Sequence, residues 1–263
     1  MISLKSPREI EAMKTSGAVI AGMHNELKDF IKPGVESWAI EVFCRNYIES
    51  HGGYCEQLDV PGYKWATCVA INDYVCHAIP RHGVFLKEGD IVTVDTVVNL
   101  DGAMSDSAWT FTVGEVSAET QRLVDATKKA LYLGIDQAVV GNRIGDIGAA
   151  IQGYIEDEMG FGDVREYIGH GIGPTMHEDP AVPHYGTAGK GLRLKEGMTI
   201  TIEPMVNAGG DWRTAPIQED EEWDAAKTTD GSYSAQFEHT IAITKEGPKI
   251  LTSQDAVFDA KYL

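Results

Sequence analysis

A ten-residue segment of this chain recurs in closely similar form. Leu86-Lys87-Glu88-Gly89-Asp90-Ile91-Val92-Thr93-Val94-Asp95 matches Leu194-Lys195-Glu196-Gly197-Met198-Thr199-Ile200-Thr201-Ile202-Glu203 at a constant offset of 108. Upstream, Ile40, Tyr47, Ile48 and Glu49 correspond to Ile147, Tyr154, Ile155 and Glu156 at an offset of 107. Self-similarity at a fixed spacing means two copies of one supersecondary unit that bury their apolar faces together. Each half reads helix, helix, strands, with the pseudo-repeats at about 1–113 and 114–263 of a 263-residue chain, an α/β (α+β) arrangement. Both copies of the repeated strand end on a carboxylate, Asp95 in one and Glu203 in the other.

The first of these strands continues into a hairpin. Asp101-Gly102 lies between two apolar-rich runs, and a two-residue type I′ turn needs positive φ at both central positions. With 101 and 102 as the loop, Leu100 faces Ala103, Val97 faces Asp106 and Asp95 faces Ala108. Residues two apart on a strand share a face, so Asp95 and Asp106 are diagonal neighbours roughly 7–8 Å apart. Buried like charges at that range drive one pKa up unless a cation sits between them. By the same logic the second hairpin strands supply Asp106 in one half and Glu238, within Ser234-Ala235-Gln236-Phe237-Glu238-His239-Thr240, in the other. Four carboxylates then face one another across a pseudo-twofold axis. His77 and His170 precede the repeated strands, and the glycines flanking His170 allow an imidazole to reach into a cleft. Four carboxylates and one imidazole have the ligand count of a two-metal site, with ions about 3.5–4 Å apart.

The remaining elements follow from caps and periodicity. Ser6-Pro7-Arg8-Glu9 is a capping box with Pro at the first helical position, and Ile10, Met13, Ile20, Leu27 and Ile31 continue a helix that stops before Pro33-Gly34. Ile40, Phe43, Cys44, Tyr47 and Ile48 mark a second, ending at Gly52-Gly53. Ser117 caps a third that stops near Gly141, and a fourth runs from about Asp146 to Gly160. Strands are expected at Ala66–Ile71, Tyr74–Cys76, Met198–Glu203, Ser234–Thr244 and Ile250–Leu251. Residues 207–233 read as the least regular stretch, with Glu219-Asp220-Glu221-Glu222 as a solvated acidic loop.

Composition removes several classes of function. A net charge of −18 opposes binding to nucleic acid, which depends on Lys and Arg replacing phosphate counterions. No run approaches the 18 or so apolar residues of a membrane span, and the N-terminus has no apolar signal core. Cys44, Cys55, Cys68 and Cys76 do not form paired CxxC units, so they read as reduced thiols of a cytoplasmic protein.

In combination these motifs are recognisable. Asn72 to Pro80, the Asp95/Asp106 hairpin, Gly169-His170-Gly171-Ile172-Gly173, Met176-His177-Glu178, Thr201-Ile202-Glu203-Pro204-Met205 and Ser234 to Thr240 together resemble the type I methionine aminopeptidases, in their short bacterial form, over essentially the whole chain. The resemblance implies a single catalytic domain over 1–263 with the pita-bread fold, two pseudo-symmetric halves around a central curved antiparallel sheet. It implies removal of the initiator Met from new chains. Asp95, Asp106, His170, Glu203 and Glu238 would hold two divalent ions (Co, Mn, Fe or Zn), with Asp106 and Glu238 bridging. Glu203 would also take the proton of the attacking water, while His77 and His177 would contact substrate. Tyr63, Cys68, Met176 and Trp223 would line the methionine slot. A monovalent cation near Asn72, Tyr74 and Ser234 is implied too. The partners implied are N-terminal Met peptides and nascent chains, with transient contact at the ribosome, for a monomer that engages no membrane.

The chain departs from the family pattern at three places. Met176 stands where Phe is common, Gln57 to Val60 lacks the more usual Cys and Tyr, and the 219–222 run beside Trp223 is unusually acidic. Two other readings compete: a proline-specific pita-bread peptidase, which would carry a large additional N-terminal domain, and a non-catalytic peptide-binding module, which would have no need of all five ligand-type side chains.

Overall fold

The structure, a computed structural model, describes residues 2–263. In the first half, helix α1 (Pro7–Phe30) is followed by α2 (Ser37–Ser50), β1 (Tyr54–Cys55), β2 (Cys68–Ile71), β3 (Tyr74–Cys76) and the long hairpin β4 (Ile91–Leu100) and β5 (Ala103–Thr112). In the second, α3 (Ala118–Gln137) and α4 (Ile144–Gln152) precede β6 (Gly162–Asp163), β7 (Gly169–Gly171), β8 (Glu178–Val182), β9 (Thr199–Ile202) and β10 (Met205–Asn207). The chain then forms β11 (Thr214–Asp220), β12 (Trp223–Thr228), β13 (Ser234–Gln236), β14 (His239–Thr244) and β15 (Gly247–Ile250). Every strand pairing described is antiparallel.

The capping box at Ser6 forms as read: Ser6 Oγ accepts from Glu9 N and Glu9 Oε2 from Ser6 N. Helix α1 lays Met13, Ile20, Met23 and Leu27 against the sheet. Its core is continuous with that of the second half, joining Leu27, Ile40, Ile91 and Val94 to Leu131, Ile147, Ile200 and Ile241. The β4–β5 register is the one the turn dictates, with Leu100 opposite Ala103, Val97 opposite Asp106 and Asp95 opposite Ala108. Asp101 and Gly102 take φ of 53° and 86°.

The repeat is visible in the backbone hydrogen bonds. Gly34 N donates to Leu86 O at 2.8 Å and Gly141 N to Leu194 O at 3.1 Å. Ser37 N to Val84 O (2.8 Å) has its counterpart in Ile144 N to Leu192 O (2.9 Å), and Gly89 N to Val113 O (3.0 Å) in Gly197 N to Ile243 O (2.9 Å). The glycines in these pairs have φ between 86° and 99°, a region that costs an L side chain about 1–2 kcal/mol. Each half therefore pins the entry of its second helix to the approach of its main strand.

Where the halves meet, side-chain hydroxyls continue what the ladder leaves open. Glu238 N donates to Ala108 O, Ser107 Oγ to Glu238 O, and Thr240 Oγ1 both accepts from Asp106 N and donates to Asp106 O. Thr110 ties to Gln236 in the same two-way fashion.

Several expectations need correction. Residues 207–233 are not irregular: they contain the β11–β12 hairpin, which pairs through β12 with β3. Its faces are only partly covered, so it lacks the apolar alternation that announces a strand. The acidic run is not wholly solvated, because the Glu219 side chain is 1% exposed. Strand β2 starts at Cys68 rather than Ala66, since the Ala66 and Thr67 amides donate to the buried Glu41 carboxylate instead of a ladder. The fourth helix starts at Ile144 and finishes in a π-helical turn, Gly153–Glu158. The expected strand 234–244 is broken at Phe237-Glu238.

The pseudo-twofold equivalence of Asp106 and Glu238 also fails. Trp109 faces Val94, and His239 faces Ile202, the repeat mate of Val94. Glu238 is thus the counterpart of Ala108. Gln236, which faces Met205, is the counterpart of Asp106, which faces Val97. Only Asp95 and Glu203 are related by the repeat.

Candidate metal centre and peptide site

The five residues named from sequence nevertheless come together around one cavity of about 490 Å³. Asp95 projects from β4 and Asp106 from β5, His170 lies in β7, Glu203 follows β9, and Glu238 sits in the break between β13 and β14. His170 Nε2 is 3.6 Å from both Asp106 Oδ2 and Glu203 Oε1. Ligand atoms of Asp106, His170 and Glu238 all lie within 4.8 Å of one another.

The electrostatics call for a cation. Burial first, and then the neighbouring Asp106, pushes the carboxyls of Asp95, Glu203 and Glu238 well above the usual range. Burial lifts Asp106 to about 7. Asp95 Oδ1, Asp106 Oδ1 and Glu238 Oε1 are buried with no hydrogen-bond partner among the described residues, a costly arrangement for acceptor atoms. His170 Nδ1 lies 2.9 Å from Gly171 O. A carbonyl only accepts, so Nδ1 carries the proton, and the bare lone pair of neutral Nε2 then faces two carboxylates. Three orphaned carboxylate oxygens and an imidazole lone pair around one cavity, with Asp106, His170 and Glu238 in ligand reach of one another, fit a divalent ion of the first transition row.

Residues not singled out from sequence hold this set in place. Thr201 Oγ1 accepts from His170 N at 2.9 Å and donates to Glu203 Oε1 at 2.8 Å, tying two residues of the site together through one hydroxyl. Gln236 Nε2 reaches Glu203 Oε2 at 3.3 Å. Glu203 N donates to His184 Nε2 at 3.1 Å, and burial holds that imidazole neutral, its pKa down at about 3. Thr201 stands in the repeated segment and Gln236 beside the quoted Glu238, so the repeat and the motif pointed to the neighbourhood. His184 carried no sequence signal.

His77 and His177 both line the cavity. Burial drives each pKa down to about 4, with a small further push from the neighbouring histidine. The His177 ring lies against His170 at 4.3 Å between centroids. His77 has φ of 60°, a conformation that a non-glycine residue holds only when its surroundings over-determine it.

Beside the carboxylates is an apolar recess. Cys68 is the direct cross-strand partner of Asp95, and it packs with Tyr63 and Ile79, with Val60, Trp65 and Trp223 around them. The Tyr63 and Trp223 rings are 4.6 Å apart, and Trp223 Nε1 donates to His77 O at 2.8 Å. Gln57, on the same wall, directs its amide toward Cys68 Sγ and Asp95 O. Met176 lines the cavity too, but it packs with Met13, Val97 and Met104 rather than with the Tyr63 group. Of the residues named for a monovalent cation, Asn72 and Ser234 adjoin through Ser234 N to Asn72 O; Tyr74 instead gives its hydroxyl to Glu219.

Comparison with known proteins is consistent with this geometry. The pattern of metallopeptidase family M24 matches residues 11–245. The chain is 42% identical over 252 residues to methionine aminopeptidase 1 of Bacillus subtilis (strain 168), covering 96% of this chain and 99% of that one. It superposes on the crystal structure of methionine aminopeptidase from Rickettsia prowazekii with a TM-score of 0.92 at 40% identity, covering 96% and 100% of the two chains. Prolidase from Pyrococcus furiosus shares the fold, with a TM-score of 0.76 at 20% identity, and this chain covers 66% of it.

Proposed function

This chain belongs to metallopeptidase family M24, and we propose that it removes the N-terminal methionine from peptides and new protein chains by metal-assisted hydrolysis. The observation that carries this reading is the placement of an apolar recess one cross-strand step from a cluster of orphaned carboxylate oxygens. A thioether side chain suits a recess with aromatic and sulfur walls. We further propose that one catalytic domain spans 1–263, that two divalent ions occupy the site, and that a small second residue is preferred. Co, Mn, Fe and Zn all bind carboxylate-rich sites, and availability rather than raw affinity decides among them. One monovalent cation near Asn72, action as a monomer in the cytoplasm and transient contact with the ribosome complete the proposal. No helix among the described residues is long and apolar enough to cross a membrane.

When bound, the divalent ions supply a water acidic enough to attack near neutral pH and polarise the scissile carbonyl. The rest is the work of the chain. Asp95, Asp106, His170, Glu203 and Glu238 hold the ions. Glu203, fixed by Thr201 and Gln236, takes the proton of the attacking water and delivers it to the leaving amine. His177 is neutral at physiological pH, because its pKa is pushed down to about 4, so it donates an N–H to the developing oxyanion without carrying charge. His77 bonds the scissile nitrogen. The acidic cluster receives the α-amine of the substrate, which restricts cleavage to the chain terminus.

The test is methionine release from Met-Gly-Met-Met and from a control peptide beginning Met-Lys, using metal-stripped protein titrated with Mn²⁺ or Co²⁺. Release should be metal-dependent, confined to the Met-Gly peptide and abolished by Glu203→Ala. Cleavage only of peptides with proline in second place would establish the proline-specific alternative. Peptide binding with no release under any metal would establish the binding module.

A further inference from the structure

Glu219 lies in the acidic run of the β11–β12 hairpin, yet its side chain is buried. Gln218 faces Asp224 while Asp220 faces Trp223, so Glu219 is the extra residue of a β-bulge. A bulge re-aims a side chain that regular alternation would place elsewhere. Here it turns the carboxylate onto β3 and the segment that follows it, where three donors meet it: the Tyr74 hydroxyl, the Ile79 amide at 2.9 Å and the Arg81 guanidinium. These donors flank His77. The same hairpin holds His77 a second time, through Trp223 Nε1 to His77 O. On β3 a register shift leaves Val75 as an extra residue between Tyr74 and Cys76, immediately before the left-handed turn at His77.

We propose that Glu219 is a positioning residue for the methionine site: by pinning the β11–β12 hairpin to residues 74–81 it holds His77 and Trp223 as one rigid wall of the cavity. Resting on the methionine-release reading above, the inference adds what fixes the recess and the strained histidine in register. A solvated acidic tip would leave both hairpin and histidine free to shift. A buried carboxylate with three donors, all within four residues of His77, gives the backbone there one conformation. Glu219 does not touch the five metal-site residues, so its loss acts on substrate geometry and leaves metal binding alone.

The experiment compares Glu219→Ala, Glu219→Gln and Arg81→Met with the unaltered protein, each loaded with Mn²⁺. Expected for Glu219→Ala are a fall in kcat on Met-Gly-Met-Met of about tenfold or more, a raised KM and weaker preference for methionine over leucine at the first position, with metal content unchanged. Glu219→Gln, which keeps one acceptor oxygen where the carboxylate offers two, should recover part of the loss, and Arg81→Met should lie between. In protein labelled with 5-fluorotryptophan, the Trp223 resonance, assigned through Trp223→Phe, should shift or broaden in Glu219→Ala. Unchanged kinetics and an unchanged Trp223 resonance in all three variants would overturn the inference. So would a loss of activity that tracks lost metal or lost folded protein. If the unaltered protein releases no methionine, the function fails by that result, and the fluorine spectrum still decides whether Glu219 fixes the wall.

Discussion

Asp163 shows what burial does to a carboxylate that the cavity does not use. It is fully buried on β6 and neither oxygen has a hydrogen-bond partner among the described residues. Desolvation, with a further push from Glu156 against the pull of Arg165, raises its pKa to about 8. The folded state therefore binds a proton that the unfolded chain releases near pH 4. Stability from this residue is intact below the unfolded pKa and is lost as pH rises toward 8, at about 1.4 kcal/mol per unit. Asp163→Asn should therefore be the more stable protein, with an advantage that grows from pH 4 to 8 and is flat above. Urea denaturation midpoints of both proteins across pH 4–9 check this; parallel curves would reject it. His77 is the converse case, where strain at φ of 60° is retained at a position that serves the cavity.

Among the elements, the β4–β5 hairpin is the piece whose conformation rests most on one local signal. Gly102, at φ of 86°, donates to the Asn99 side chain, which closes the turn. Gly102→Ala should cost about 1–2 kcal/mol of stability while leaving methionine release intact, because the turn is exposed and lies beyond the end of β4, past the mid-strand Asp95. A thermal midpoint lowered by several degrees at unchanged kcat is the expected result, and unchanged stability would mean that the turn adapts. The helices were legible for similar reasons: caps and glycine stops are local. The β11–β12 hairpin was not, since its strands are half-exposed and its bulge hides the alternation. In sequence Glu219 looks like its exposed neighbours Glu221 and Glu222, and only pairing with β3 distinguishes it.

Across the whole molecule, the two halves contribute unequally to a shared centre, and the cost of assembling its carboxylates is spread over the fold. Divalent metal should therefore stabilise the protein strongly: at 100 times Kd the gain is about 2.7 kcal/mol, seen as a raised thermal midpoint with added Mn²⁺. Glu238→Gln should remove most of that shift, and an equal shift in the variant would place the ion elsewhere. The repeated segments, the Asp-Gly turn, the capping box at Ser6 and the glycines around His170 determined the two halves, the main hairpin and the approach of Asp95, Asp106, Glu203 and His170, because each is a pattern written in consecutive residues. The tertiary structure alone decided that Glu238 reaches the centre through a break between β13 and β14 rather than by symmetry, that Gln236 takes the place equivalent to Asp106, and that His184, Thr201 and Glu219 steady the site. Those outcomes depend on which strands pair across more than a hundred residues of chain, where a shift of one position turns a side chain to the other face.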